Sequence, residues 1–330
     1  MPPDPVRFGV LGTGHIASKF TDDLLLSDAC EVVAVGSRTL GGARAFAARH
    51  GALTPHSSYQ SLVNDDAVEV VYVAVPHPFH HETALLALDA GKPVLVEKPF
   101  AMNVAQADEL VSAARSRGLF LMEAMWTRFL PQFRHIRRLL DEERLGDLRI
   151  VIAEFGVAFE RDPSSRLYDP KLGGGALLDL GIYPVSLAHF VFGSPDSVTA
   201  RAAFTSTGVD AQTAALLTYG KGRQAVLSAS LEAPLPNRLV IAGFDGSIEI
   251  DDRWHQPASL KLTESDGKST IYDYHGEGNG LRHQAEEVAR CLRAGELESP
   301  ILPLDETLSV MATMDAIRSQ IDLRYEVDDE

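Results

Sequence analysis

The chain has 330 residues, 45% hydrophobic and 23% charged, an ordinary balance for a globular protein with room for two well-cored domains. Its formal net charge is −16 and no basic stripe is visible, so nucleic acid and anionic membranes are not expected partners. Cys30 and Cys291 are the only cysteines, too few and too far apart for a disulfide framework, and a cytoplasmic location fits. Met1–Pro5 has neither a basic nor an apolar stretch, so no export signal is expected, and no apolar run approaches the length of a membrane span.

Val6 to Leu11 is short, apolar and β-branched, and reads as a buried strand. Gly12-Thr13-Gly14-His15-Ile16-Ala17 follows at once and opens a helical run to Leu26. The first glycine allows a tight turn, the second lets backbone N–H groups approach a pyrophosphate, and Ala17 lets helix pack on strand. The motif alone is weak, but here it sits between a strand and a helix, with a second strand, Glu31–Gly36, after them. This context predicts dinucleotide binding, with His15 and Ile16 at the helix start beside the anion.

At the end of that second strand an NAD site expects an Asp or Glu for the ribose hydroxyls. The chain carries Ser37-Arg38-Thr39 instead. A guanidinium pairs with a 2′-phosphate and flanking hydroxyls donate to it, so NADP is the expected dinucleotide, with NAD as the alternative.

The first 120 residues continue to alternate. Val68–Val75, Pro93–Val96 and Leu119–Met122 read as parallel strands, and Thr39–His50, Glu82–Ala90 and Val104–Arg117 as helices, stopped near Gly51, Gly91 and Gly118. The right-handed crossover rule then predicts a doubly wound Rossmann domain over residues 1–124. Residues 125–330 form a second, α+β domain. A helix is expected over Pro131–Leu145, a long strand over Asp147–Phe159, a loop over Glu160–Gly175 and a buried helix over Gly175–Phe192. Strands follow at Val198–Thr205, Ala214–Tyr219, Gln224–Leu231, Arg238–Ile241, Ser247–Ile250 and Leu260–Thr263, closely spaced and so expected to pair in a large, open, mainly antiparallel sheet. One sheet face is expected under helices. The other, assigned Ala225, Leu227, Ala229 and Leu231, needs further cover. Helices at Asn279–Ala294 and Asp305–Leu323 finish the chain, the last a candidate to pack back on the first domain, and the acidic tail Glu326–Glu330 is expected to fray.

Two segments carry chemistry. Glu97-Lys98-Pro99 follows the Pro93–Val96 strand, at the sheet edge where open α/β folds bind ligands, wedged so that Lys98 is partly desolvated. Leu172-Gly173-Gly174-Gly175-Ala176-Leu177-Leu178-Asp179-Leu180-Gly181-Ile182-Tyr183 opens a helix with three glycines, which permits close approach by a ligand or by another backbone. Asp179 and Tyr183, four apart, share a helical face. An Asp on an apolar helix is costly to bury unless paired, and a tyrosine near a lysine transfers protons. Pro76-His77-Pro78-Phe79-His80-His81 lacks the spacing of a zinc motif, and no metal is expected.

Taken together, Gly-Thr-Gly-His-Ile-Ala, Glu97-Lys98-Pro99 and Gly-Gly-Gly-Ala-Leu-Leu-Asp-Leu-Gly-Ile-Tyr resemble the glucose–fructose oxidoreductase, inositol dehydrogenase and rhizopine catabolism (Gfo/Idh/MocA) family over nearly the whole chain. Met122 to Pro131 and tyrosine at 183 resemble its dihydrodiol dehydrogenase and NADP-dependent D-xylose 1-dehydrogenase branch. The resemblance implies hydride transfer between nicotinamide and a hydroxyl-bearing carbon of an aldose or trans-dihydrodiol. Lys98 would be the central lysine and favour phenolate over phenol at Tyr183, the proton-transfer residue, while Asp179 would orient substrate. The Pro76-His77 turn, His80 and Glu97 would line the cofactor cleft, and the family's Lys-Pro bond is often cis. Trp126, Arg128 and Phe159 are candidates for the sugar pocket. Arg166 and Tyr168, on the loop before the glycines, are candidates for substrate or cofactor contact. Family members oligomerise through the open face of the sheet, which implies a homodimer or homotetramer. Two other readings remain at this point: a non-catalytic dinucleotide-dependent sensor, and a hydrolase or dehydratase that reduces and reoxidises its cofactor within one turnover.

Overall fold

The computed structural model describes residues 3–51 and 53–328. The chain divides into two compact units. The first comprises the chain up to Phe129 together with Glu277–Thr307; the second comprises Leu130–Gly276 together with the chain from Leu308.

The first unit is built on a six-stranded parallel sheet: β1 (Val6–Leu11), β2 (Cys30–Gly36), β3 (Thr54–His56), β4 (Val70–Val73), β5 (Val94–Glu97) and β6 (Leu121–Ala124). Their order, β3-β2-β1-β4-β5-β6, is that of a doubly wound dinucleotide-binding sheet. β1, β4, β5 and β6 are almost wholly buried, which accounts for their continuous apolar runs. Between the strands run α1 (His15–Leu24), α2 (Leu40–His50), α3 (Tyr59–Val63), α4 (His80–Asp89) and α5 (Val104–Arg117). Thr39, Ser58 and Asn103 cap α2, α3 and α5 with their side chains. β3 and α3 are too short and too polar for periodicity to reveal.

In the second unit, α6 (Pro131–Asp141) leads into an eight-stranded sheet. Its strands are β7 (Leu148–Gly156), β8 (Ser197–Phe204), β9 (Asp210–Tyr219), β10 (Arg223–Ser230), β11 (Leu239–Gly243), β12 (Gly246–Ile250), β13 (Leu260–Glu264) and β14 (Ser269–Tyr272). They lie in the order β14-β13-β12-β11-β7-β10-β9-β8. All neighbours are antiparallel except β7 and β10, which run parallel. The sheet is thus mainly antiparallel, as expected; β7 enters mid-sheet, and the chain makes a helical crossover before β10, as parallel partners require.

That crossover holds a π-helical turn, Leu177–Gly181, and α7 (Ile182–Phe192). Pro170–Phe192 is apolar enough by length and composition to cross a membrane, contrary to the sequence expectation, but 89% of the tested window is buried inside the protein, so it is a core element here. The helical layer packs on β7 and β10. It covers the face carrying Ala225, Leu227, Ala229 and Leu231, each no more than 3% exposed. The face assignment read from the sequence is therefore inverted by one register: the chain itself covers that face, and Ile152 and Val226 lie on the open one, 38% and 42% exposed.

α8 (Arg282–Ala294) packs on α1 and β2 within the first unit. Buried Asp23 accepts hydrogen bonds from the Asn279 and Leu281 N–H groups at its approach. α9 (Leu304–Gln320) closes the helical sequence. The tail does not fray where it is described: Glu326–Asp328 forms a 3₁₀ turn, and Asp328 accepts from the Tyr325 N–H and from Arg318. The last two tail residues lie outside the described residues. Both cysteines are buried free thiols, held high by burial, Cys30 at about 12.

Candidate active site

In the first unit, the carboxyl ends of β1 and β4 meet at the glycine loop. Gly12 has φ 112°, and a Cβ placed on it would stand 2.3 Å from the Ala74 carbonyl oxygen, so only glycine fits. Gly14 is different. It caps α1 in extended geometry with no side-chain hydrogen bond, and a Cβ there would meet nothing within 4 Å. The protein itself does not require glycine at 14. Gly14 and His15, at the start of α1, are both exposed. Ala17 is fully buried, as helix-on-strand packing demands.

After β2, Ser37 is half-buried and Arg38 exposed. Among the described residues Arg38 makes no ion pair. It lies close enough to Tyr59 to oppose the burial that pushes that hydroxyl up.

The other cofactor candidates sit deeper. His77 is buried in the 3₁₀ turn His77–Phe79, its ring edge-on to His80 at 5.6 Å. His80 is fully buried, with Nδ1 2.8 Å from the Pro99 carbonyl oxygen and Nε2 2.9 Å from that of Val75. His80 thus ties the end of β4 to the turn after β5, behind the surface. Glu97 is 4% exposed; it accepts from the Tyr72 hydroxyl at 2.5 Å and from the Lys98 N–H at 3.1 Å. It braces the turn that presents half-buried Lys98, and the Lys98-Pro99 bond is cis.

Beneath this turn lies Glu123, which the sequence reading did not single out. It is 1% exposed on β6, and burial pushes its carboxyl up to about 7. The Thr307 hydroxyl and the Phe100 backbone N–H oppose the shift, as does the charge of Arg128. Arg128, expected at the sugar pocket, is buried: its guanidinium donates to Glu306 at 2.7 Å and to the Ile301 carbonyl. Trp126, also proposed for that pocket, is 7% exposed in the same 3₁₀ turn. Among the described residues, no group of three or more His, Cys, Asp or Glu is placed to hold a metal ion.

In the second unit, the glycine run serves the chain's own backbone. A Cβ on Gly174 would stand 2.6 Å from the Leu167 carbonyl oxygen. A Cβ on Gly175, with φ 119°, would stand 2.2 Å from Asp210 Oδ1. Asp210 on β9 is fully buried and accepts from the Leu177 N–H at 2.8 Å and the Thr213 hydroxyl at 2.6 Å, fixing the start of the site helix. Burial pushes Asp210 up to about 6. The Tyr325 hydroxyl donates to the Gly174 carbonyl at 2.5 Å.

Asp179 lies in the π-helical turn, 6% exposed, and accepts from Arg166 Nη2 at 3.2 Å. Arg166 is one partner that offsets the cost of its burial. The π turn adds a residue to the local helical period, so the four-residue spacing to Tyr183 is not one regular α-turn. Tyr168 is 3% exposed and burial pushes its hydroxyl up. Tyr183 is 7% exposed. Its ring lies edge-on to Phe155 at 5.3 Å and tilted to His255 at 5.8 Å. Phe155, not Phe159, is the β7 aromatic in this cluster; Phe159 lies beyond the strand, its N–H bonded to the Leu231 carbonyl. Phe155 was legible from alternation with buried Val151 and Ala153. Nothing in the sequence pointed to His255.

Residues 6–125 match the oxidoreductase family with an NAD-binding Rossmann fold, and residues 133–249 match the GFO/IDH/MocA C-terminal domain. The chain belongs to the GFO/IDH/MocA oxidoreductase family. It is similar to trans-1,2-dihydrobenzene-1,2-diol dehydrogenase of Xenopus laevis, 39% identical over 97% of this chain and 99% of the relative. The corresponding pig (Sus scrofa) protein is 38% identical over 98% and 99%. Among solved structures, the 3-ketoreductase KijD10 from Actinomadura kijaniata, in complex with NADP and TDP-benzene, has a TM-score of 0.85 at 29% identity, covering 96% of this chain and 98% of that one. Aldose–aldose oxidoreductase from Caulobacter crescentus shares the fold, with a TM-score of 0.87 at 23% identity over 96% and 98%.

Proposed function

We propose that this family member is an NADP-dependent dehydrogenase of trans-vicinal diols, with aldoses as the second substrate class its chemistry accepts. The observation that carries the reading is the likeness, along 97% of the chain, to a dehydrogenase of trans-1,2-dihydrobenzene-1,2-diol. The residues present fit the dinucleotide. The open space at Gly14 and the first N–H groups of α1 would hold the pyrophosphate, and exposed Arg38 with Ser37 would hold the 2′-phosphate. When bound, the nicotinamide supplies the hydride acceptor.

The chain supplies position and proton transfer. Lys98, presented by the braced Glu97 turn, holds the substrate oxygen with its ammonium. Tyr183 takes the hydroxyl proton in oxidation and returns it in reduction. Asp179, oriented by Arg166, binds the neighbouring hydroxyl. General acid–base catalysis is worth roughly 10²–10⁴-fold, so Tyr183→Phe should lose about that factor in kcat while NADP affinity stays near wild type. The test follows nicotinamide absorbance with NADP⁺ or NAD⁺ against trans-1,2-dihydrobenzene-1,2-diol, D-xylose and myo-inositol. Turnover of the diol with NADP⁺ supports the reading; conversion without net absorbance change points to internal cofactor cycling instead. Retained turnover in Tyr183→Phe removes Tyr183 from the relay.

The protein also self-associates in this reading, through the open face of the eight-stranded sheet. Val240, Ile152, Val226 and Leu216 stand side by side across β11, β7, β10 and β9, an apolar row on a face the chain leaves uncovered. A two-fold contact buries such a row against itself. A monomeric mass in solution at micromolar concentration would exclude it.

A further inference from the structure

We infer that His255 is a positioning residue for Tyr183, acting through its ring. This rests on the assignment of Tyr183 as the proton carrier. His255 lies between β12 and β13 and is 6% exposed. Its imidazole stacks on Phe155 at 3.9 Å between centroids and 22° between planes, while the Tyr183 ring touches both. The three rings form a closed triangle, each in contact with the other two.

The loop that delivers His255 is pinned on both sides. The indole N–H of Trp254, which is fully buried, donates to the Glu154 carbonyl at 3.0 Å. The Gln132 side-chain amide donates to the Gln256 carbonyl at 2.6 Å. The strand side is pinned as well: Asn237 accepts from the Gly156 N–H at 2.7 Å and donates to the Gly156 carbonyl at 3.2 Å, one residue beyond Phe155. The Gln256 amide lies 3.4 Å from His255 Nε2 and orients the ring. On this inference, anchored loop, anchored strand and packed rings hold the Tyr183 ring in place, and a small displacement of a catalytic group is worth up to about 10²-fold in rate.

The experiment replaces His255 in the full-length protein with Ala, Gln or Phe and reads Tyr183 directly by ¹⁹F NMR. Tyrosines are labelled as 3-fluorotyrosine, and the Tyr183 line is assigned by its loss in Tyr183→Phe. His255→Ala should shift or broaden that line and lower kcat about tenfold, with NADPH affinity unchanged. His255→Phe, which keeps the stack, should restore the line and most of the lost rate. His255→Gln, which keeps polar volume without a ring, stands in for Ala if that variant fails to fold, and should behave as Ala. A Tyr183 line unmoved by Ala or Gln overturns the inference, as does rescue by Gln but not by Phe. If the line moves as expected yet Tyr183→Phe keeps its turnover, positioning stands and the catalytic assignment of Tyr183 falls.

Discussion

Gly12 and Gly14 are two residues apart in one loop, and the structure assigns them opposite responses to the same substitution. Gly12→Ala puts a methyl 2.3 Å from a backbone oxygen, Ala74 O, at φ 112°. No rotamer relieves that overlap. An L-residue in such a backbone region costs on the order of 1–3 kcal/mol before the steric clash is added. A loss of at least about 3 kcal/mol follows, which lowers Tm by roughly 10 °C at ~2–4 °C per kcal/mol for a unit of this size. Gly14→Ala has φ −78° and ψ −176°, ordinary extended backbone, and its methyl meets nothing within 4 Å. Its cost is that of alanine at a helix N-cap, under about 1 kcal/mol. The methyl does stand where a pyrophosphate would approach the N–H groups of α1, so dinucleotide affinity should fall at least about tenfold, near 1.4 kcal/mol. Calorimetric melting and NADPH fluorescence titration separate the two. Wild-type NADPH affinity in Gly14→Ala, or wild-type melting in Gly12→Ala, would refute the division of labour.

Arg38→Asp should weaken NADP binding by roughly 10–10²-fold, the scale of one charge-assisted hydrogen bond, and improve NAD binding; unchanged discrimination in paired titrations would remove Arg38 from that role. Glu123 is pushed up to about 7 in the folded state from 4.5, so between those values the folded state holds a proton that the unfolded state has lost. Its share of stability is therefore greatest below about pH 4.5 and is lost as pH rises to 7, with an upper bound of about 3 kcal/mol. Glu123→Gln should flatten that fall in urea midpoints measured at pH 5 and pH 8, and an unchanged slope would refute the assignment. For the self-association proposed above, Val226→Glu, on the open sheet face at 42% exposure, should give monomers by light scattering while leaving Tm within about 3 °C; association that survives it would place the contact elsewhere.

Much of the fold was legible because it rests on burial. β1, β4 and β5 are covered on both faces, so their apolar runs are unbroken, and helix ends are punctuated by Thr39, Asn103 and Gly118. The sheet faces of the second unit were harder. Alternation shows that Ala225, Leu227, Ala229 and Leu231 share a face, but the opposite set includes Val226 and, across the register, Ile152 and Leu216. Where both faces carry apolar residues, alternation alone cannot tell which one the chain covers. The site residues divide in the same way. Lys98 and Asp179 announce themselves as charges in apolar surroundings, whereas Glu123, Asp210 and His255 act through partners far away in the chain.

The glycines make the point sharpest. A glycine in a sequence reports only that a side chain is unwelcome, not what excludes it. At Gly12, Gly174 and Gly175 the excluding atoms belong to the chain: Ala74 O, Leu167 O and Asp210 Oδ1. At Gly14 no protein atom lies within reach. The run of three glycines, which resembles a ligand cradle more than the first loop does, is thus filled by its own fold. Its work is to let Asp210 and Tyr325 fix the turn from which Asp179 and Tyr183 project. The less conspicuous Gly14 is the glycine whose space is left open, and it is there that the proposed function puts the dinucleotide phosphates.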